Sequence, residues 1–248
     1  MHGASLLRIL DVGCVVALVA SVLIGCDLTG QYEANFQKAL EESARRAVFD
    51  LSLHAEVTEA LDPAKEVKLR MPKALDGSSK WLKLTEPRAQ VPFIQLPGLA
   101  TVLERQLDDP SQFFYLYFAA VPKTDGKAEA VQNTVATQIA AAFPGTTWTD
   151  VSVAKPDGGT LPLKRLRVEG QQQFMNVAKK TPARHESRFD LYYLDGGSRH
   201  VFIGWRVPKA QAEKYQLEPA IEAAMGTIEI TPSADGPKGK KRGDDAEE

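Results

Sequence analysis

The stretch FFYLYF, at residues 113–118, is the part of this chain that decides its fold class. Every position in it is aromatic or aliphatic, so neither set of alternating residues is polar. Because successive side chains of a strand point to opposite faces of a sheet, this composition predicts a central strand that is covered on both sides. The segment is more typical of a core than of a platform for a ligand.

Other segments of the chain carry patterns of strand and helix. Alternating apolar residues predict strands at 49–57, 67–71, 148–153, 163–168, 189–194 and 201–207. The turn sequence DGGS at 195–198 predicts a hairpin between the last two of these strands. Helical spacing predicts helices at 32–48, 101–107, 131–139 and 209–225, the last broken near Pro219. Residues 176–188 read as a polar loop.

The order of these elements predicts an α+β fold, in which a mostly antiparallel sheet is covered by helices. Three segments mark a resemblance to a known family: KLRMP at 68–72 with Trp81 after it, the stretch 113–118 with its following helix, and HVFIGWRVP at 200–208 followed by a helix and TIEI at 227–230. The chain resembles the PsbP-like α/β/α sandwich. That resemblance implies a supporting role in membrane complexes without catalysis, and it identifies no functional residue.

The tetrad Leu23-Ile24-Gly25-Cys26 resembles the lipobox at which bacteria lipidate a cysteine and cleave just before it. The apolar run 12–24 that precedes it is typical of a secretory signal. At about 1.5 Å per residue this run spans about 20 Å as a helix, well short of the roughly 30 Å core of a bilayer. A permanent transmembrane anchor is therefore the weaker interpretation.

Lipidation would fix both the location and the boundaries of the mature protein. Residues 1–25 are expected to be the signal peptide, and Cys26 to carry a covalent lipid as the only attached group, with no other cofactor. Asp27 resembles the signal that retains lipoproteins in the inner membrane of enteric bacteria, although it could be an ordinary polar residue. We therefore expect an extracytoplasmic protein, with the periplasmic face of the inner membrane preferred and the outer membrane possible.

The mature chain divides by composition into three parts. Residues 26–31 form the lipidated tether, residues 32–231 a single globular α+β domain, and residues 232–248 a charged tail that we expect to be disordered. Cys14 leaves with the signal, so lipidated Cys26 is the only cysteine that remains. Disulfides, zinc-thiolate sites and a cysteine nucleophile are then excluded.

Few features of the sequence indicate catalysis. No HExxH, GxSxG or phosphate-binding glycine motif occurs, and we predict no metal site and no catalytic residue. His54 and His200 are expected at the surface or at a rim. A carboxylate pair could still arise in the fold, and the candidates are Asp50, Glu56, Asp157, Asp190 and Asp195. The net charge of −2 gives no electrostatic reason to expect nucleic-acid binding.

The segment 176–188 is the strongest candidate for a charged contact. It contains Lys179, Lys180, Arg184 and Arg188 against one glutamate, and it could meet anionic lipid headgroups or an acidic partner. The alternative is a solvated loop.

Together these features predict a non-catalytic, membrane-anchored lipoprotein that acts as a binding or accessory module. Its partners would be the membrane, through the lipid, and another protein of the cell envelope. The alternative is a small-molecule-binding or hydrolytic periplasmic domain, whose pocket is built from residues that are distant in sequence.

Overall fold

The structure of the chain is a computed structural model that describes residues 30–58, 61–75, 82–83, 96–107, 112–176 and 181–231. The chain divides into two compact units, residues 1–48 and 49–248. Helix α1 covers residues 30–52, as its spacing predicts, and carries exposed Tyr32, Phe36 and Leu40 at four-residue intervals. The strand predicted from residue 49 begins only at Leu53, because the helix continues to residue 52.

The unit formed by residues 49–248 is built mainly from antiparallel strands. The strands of the described residues are β1 (Leu53–Thr58), β2 (Val67–Pro72), β3 (Leu82–Lys83), β4 (Leu99–Gln106), β5 (Phe113–Pro122), β6 (Trp148–Ala154), β7 (Thr160–Asn176), β8 (Thr181–Asp195), β9 (Arg199–Pro208) and β10 (Glu229–Ile230). The remaining α-helices are α2 (Ala128–Ala140), α3 (Lys209–Lys214) and α4 (Leu217–Gly226). Short 3-10 helices lie at Lys73–Leu75 and Lys123–Asp125.

Seven of the described strands form one antiparallel sheet in the order β3-β4-β5-β9-β8-β7-β6. Strand β5 lies between β4 and β9, and residues 113–119 are buried, which confirms the central strand predicted from this stretch. Gly204 of β9 allows the close packing beside it, since a Cβ atom there would lie 2.8 Å from the ring of Phe189. The Phe189 ring meets the edge of Tyr117, with centroids 5.6 Å apart.

The two faces of this sheet are covered by different layers. On the α2 face, Val131, Val135 and Ile139 of α2 pack in one core cluster with alternate residues of β5, β7, β8 and β9. On the opposite face, which we call the α4 face, helices α3 and α4 join the second core cluster. A three-stranded antiparallel sheet, β1-β2-β10, contributes to that same cluster. The α+β class and the covered antiparallel sheet are confirmed.

Two local predictions are wrong. Residues 101–107, predicted as a short helix, belong to β4, because seven residues of this strand pair with β5 and tertiary pairing outweighs local helical spacing. The predicted loop at 176–188 is largely strand: β7 and β8 pair continuously as far as Asn176 and Thr181. The hairpin at 195–198 and the helix break before Pro219 are confirmed.

Candidate binding site

A surface cavity of about 450 Å³ lies on the α4 face, between strands β7 and β8 and helices α3 and α4. We call it the charged cleft. Its lining residues are Arg167, Glu169, Arg188, Lys209, Ala212, Glu213, Gln216, Glu218 and Pro219. Its rim is open, since the side chains of Lys209 and Glu169 are 45% and 44% exposed and form an ion pair of 3.5 Å.

Strand alternation brings the charges of the cleft together. Val168 and Phe189 point into the α2-face core, so their neighbours along β7 and β8 point to the α4 face. The register of the two strands sets Arg167 opposite Asp190, and Glu169 opposite Arg188. Two arginines from adjacent strands therefore reach the same cleft.

Asp190 forms ion pairs with both arginines. Its side chain is 1% exposed, and its Oδ1 accepts a hydrogen bond of 2.6 Å from Arg167 Nε. Its Oδ2 lies 2.8 Å from Arg188 Nε. Arg167 is held by this hydrogen bond and Arg188 by an ion pair, and one outer nitrogen of each arginine reaches the carboxylate of Glu218 in helix α4.

Glu218 of helix α4 also forms ion pairs with both arginines. Its Oε1 accepts from Arg167 Nη2 at 2.7 Å, and its Oε2 accepts from Arg188 Nη1 at 3.0 Å. We call Arg167 and Arg188, with Asp190 beneath them, the arginine clamp. Glu218 lies in the first turn of α4, where the helix dipole also favours a negative charge. The formal charges of the clamp and Glu218 cancel.

These contacts fix the protonation states of the cleft. The hydrogen bond from Arg167 is the main cause that lowers the pKa of Glu218, although desolvation opposes it. Burial disfavours the charge of Arg167, but its bonds to Asp190 and Glu218 prevail and raise its pKa. Glu218 is therefore a carboxylate, and Arg167 a cation, across the whole physiological pH range.

Two donors of Arg188 make no hydrogen bond. Arg188 is 8% exposed, and its Nε and Nη2 are buried without a hydrogen-bond partner among the described residues. Nε still forms the ion pair with Asp190, whereas Nη2 has no such contact among these residues. A buried donor without an acceptor costs about 1–3 kcal/mol. The first turn of α4 also lacks a side-chain cap, since Gln216 at the N-cap makes no such bond. Donors in the cleft thus exceed the acceptors that the described residues supply.

The sequence-predicted carboxylates, apart from Asp190, lie outside the cleft. Asp50 pairs with Arg70, Asp157 with Lys155, and Asp195 with Lys123. The side chain of Glu56 lies outside those described. Arg167 and Glu218 could not be singled out from the sequence, because their roles depend on the register of β7 with β8 and on the position of α4.

The basic residues that the sequence predicts for a surface contact differ in their burial. Arg184 is exposed on β8, whereas Arg188 is buried in the arginine clamp, four residues further along the strand. Lys179 and Lys180 lie outside the described residues. So do the predicted signal and lipidation residues, Leu23, Ile24, Gly25, Cys26 and Asp27.

A second cavity, also of about 450 Å³, lies beside His200 at the start of α2. His200 is 3% exposed, so its predicted position at the surface is wrong. Its Nδ1 lies 3.0 Å from the hydroxyl of Tyr193, and its Nε2 lies 2.9 Å from the carbonyl oxygen of Gly126. Both ring nitrogens are thus satisfied within the protein, and this histidine reads as a structural residue.

A second buried arginine, Arg206, lies on the α2 face. Its Nε donates to Oε1 of Gln172 at 2.9 Å, and its Nη2 donates to the carbonyl oxygen of Gln173. Its guanidinium carbon lies 4.2 Å from the ring centroid of Phe174, which is a cation–π distance. Arg206 is 1% exposed. These hydrogen bonds connect β9 to β7.

Metal sites and membrane-spanning helices are two further features considered for the described part of the chain. No group of three or more His, Cys, Asp or Glu side chains there could hold a metal ion. No helix in that part of the chain is long and apolar enough to cross a membrane.

No protein-family model and no curated protein matches the chain. Solved structures to which it is similar include the following three. Cyanobacterial PsbP from Synechocystis sp. PCC 6803 has a TM-score of 0.40 and 10% identity, over 71% of this chain and 94% of that one. LpqN of Mycobacterium tuberculosis, involved in cell envelope biogenesis, has a TM-score of 0.39 and 12% identity, over 73% and 92%.

The Ran-binding protein Mog1p of Saccharomyces cerevisiae has a TM-score of 0.38 and 11% identity, over 72% of this chain and 96% of that one. A cyanobacterial PsbP is thus among the solved structures to which the chain is similar. At TM-scores of 0.40 and below, these similarities carry no inference about function.

Proposed function

We propose that this chain is a lipid-anchored, extracytoplasmic lipoprotein that acts as a non-catalytic binding or accessory module for another component of the cell envelope. The charged cleft is the contact site in this proposal. The observation that carries it is the arrangement of Glu218, whose carboxylate bridges two arginines and whose pKa is lowered by them.

This arrangement suits recognition better than proton transfer. A general acid or base works best when its pKa lies near the pH at which it operates. The arginine clamp moves the pKa of Glu218 in the opposite direction, away from neutrality. Fixed charges in an open cleft can instead select a partner of complementary charge.

The proposed anchor rests on Cys26 and on the helix that follows it. Helix α1 begins at residue 30, four positions after Cys26. Its residues Tyr32, Phe36 and Leu40 are 72%, 50% and 48% exposed, and they share one side of the helix because they are four residues apart. A short tether followed by an apolar helix side supports a protein held at a membrane surface.

Small-molecule binding is the second candidate function. The cleft volume of about 450 Å³ falls within the roughly 300–1,000 Å³ of ligand pockets. The hydrolytic version of this alternative is not favoured, because both carboxylate oxygens of Glu218 already accept hydrogen bonds from the arginine clamp.

Labelling cells with a palmitate analogue tests the anchor. We expect the parent chain to incorporate the label and to sediment with membranes, and the Cys26→Ser variant to lose both. The Cys14→Ser variant is the matched control, since Cys14 is the other cysteine of the chain, and it should keep both properties. Equal labelling and sedimentation of Cys26→Ser and the parent would refute the lipid anchor.

A further inference from the structure

We propose that the charged cleft binds a carboxylate group of its ligand, which takes the place of Glu218 between Arg167 and Arg188. This inference rests on the proposed binding function and names the chemistry that the cleft recognises. Glu218 would then act as an internal substitute that occupies the clamp while the ligand is absent.

The clamp already has the geometry of a carboxylate site. Its two outer nitrogens, Nη2 of Arg167 and Nη1 of Arg188, each donate to a different oxygen of one carboxylate, at 2.7 and 3.0 Å. The buried Asp190 accepts a hydrogen bond from Arg167 Nε and forms an ion pair with Arg188 Nε, so both guanidinium groups keep a buried counter-charge when Glu218 moves away. A pre-oriented pair of arginines is well suited to bind a carboxylate through two charge-assisted hydrogen bonds.

The two carboxylates of the cluster differ in how easily their side chains can move away from the arginines. The side chain of Asp190 is 1% exposed, whereas that of Glu218 is 44% exposed. Glu218 can therefore turn into solvent at little cost, because an exposed ion pair contributes about 1 kcal/mol or less. Asp190 is buried, so its side chain cannot turn into solvent in this way. An entering ligand thus competes with Glu218 and leaves Asp190 in place.

Charge balance favours a carboxylate over a phosphate. Arg167 and Arg188 balance Asp190 and Glu218, so exchange of Glu218 for another monovalent carboxylate keeps the site neutral. A phosphate dianion would instead add an uncompensated negative charge beside the buried Asp190, which is unfavourable at low local polarity. The ligand group that fits the clamp is therefore monovalent.

An unused donor of Arg188 would make the clamp bind a ligand carboxylate in preference to Glu218. The Nη2 atom of Arg188 is buried without a hydrogen-bond partner among the described residues, and Arg188 lines the cleft. A ligand carboxylate can approach at a different angle from Glu218, whose position is set by helix α4. It can then accept a hydrogen bond from this Nη2, which Glu218 leaves unused.

Titration of the full chain with two short peptides tests the proposal. The probes are acetyl-Ala-Ala-Glu-Ala-amide and its glutamine counterpart, with sodium acetate and sodium phosphate as separate arms, all at constant ionic strength. We expect the glutamate peptide to bind and the glutamine peptide to bind at least tenfold more weakly. Binding of acetate alone would indicate a free acid as the source of the carboxylate, and binding of the glutamate peptide only would indicate an acidic side chain of a protein.

Variants of two matched residues sharpen the test. Glu218→Gln removes the internal competitor, whose ion pairs contribute about 1 kcal/mol or less, so the dissociation constant for the glutamate peptide should fall by up to about fivefold. Glu222→Gln is the control, since Glu222 lies one turn further along α4, is 46% exposed, and pairs with Arg165 outside the cleft. Arg188→Gln should abolish binding, whereas Arg165→Gln should not.

Three results would overturn the inference: equal binding of the two peptides, no gain for Glu218→Gln over Glu222→Gln, or tighter binding of phosphate than of acetate. A failed titration would leave the anchor at Cys26 standing. Loss of the anchor, in turn, would not change the titration, so the two proposals fail separately.

Discussion

Arg206 and Arg188 are buried arginines on opposite faces of one sheet, 1% and 8% exposed, and their surroundings differ. Arg206 donates to the side chain of Gln172 and to the carbonyl oxygen of Gln173, and it lies over the ring of Phe174. Arg188 is held by two carboxylates and keeps an unused donor beside a cleft. The comparison teaches that burial of an arginine does not define its role. Satisfied donors mark a structural arginine, whereas a spare donor at an opening marks a candidate for recognition.

Replacing each arginine with leucine should give the largest difference between the two sites. Arg206→Leu leaves Gln172 and the carbonyl of Gln173 without their donor, so we expect a loss of about 3 kcal/mol in the free energy of unfolding. Arg188→Leu should lower the free energy of unfolding by only about 1 kcal/mol, because Arg167 still pairs with Asp190 and the unsatisfied Nη2 is removed. Urea unfolding followed by tryptophan fluorescence measures both values. Equal losses would contradict the contrast between the sites.

The pH dependence of stability should also separate the two faces, with smaller effects. On the α2 face, burial raises the pKa of Glu104, although its bond with Tyr115 opposes the shift. A carboxyl with a raised folded-state pKa holds its proton more tightly when folded, so this contribution to stability falls as pH rises above its ordinary value of 4.5. Glu104→Gln should therefore gain stability over the parent at neutral pH.

The contribution of Glu218 to stability should depend on pH with the opposite sign. Its folded-state pKa is lowered, so its contribution is present above the ordinary value of 4.5 and is lost as pH falls through the lowered value. The effect should stay below about 1 kcal/mol, because solvent screens a half-exposed carboxylate. Unfolding of Glu218→Gln and Glu104→Gln between about pH 3 and about pH 7 measures both signs. Shifts of the same sign in the two variants would remove the distinction.

The main strands could be predicted from sequence because their composition is unambiguous. Residues 113–118 are apolar at every position, and the DGGS turn at 195–198 fixes the hairpin of β8 and β9. Residues 101–107 were not predictable in this way, since their spacing also fits a helix and only pairing with β5 makes them a strand.

The candidate site was largely hidden in the sequence. Arg188 lies in a basic, polar stretch that reads as a surface loop, yet strand pairing turns it toward the α4 face. The alternation of Arg188 and Asp190 around buried Phe189 is a signal that could have placed both on one face. The match with Arg167 and Glu218 could not be predicted, because it depends on strand register and on the packing of a helix about 30 residues away in sequence.

The most direct test of the account is photocrosslinking in intact cells from two positions on the full chain. A photoreactive residue at Gln216 would sample the charged cleft, and one at the exposed Gln138 of α2 would sample the opposite face of the sheet. We predict that Gln216 crosslinks to one defined envelope protein and that Glu218→Gln strengthens this product, while Gln138 gives none. Crosslinks from Gln138 alone, or equal products from both positions, would contradict the charged cleft as the site of recognition.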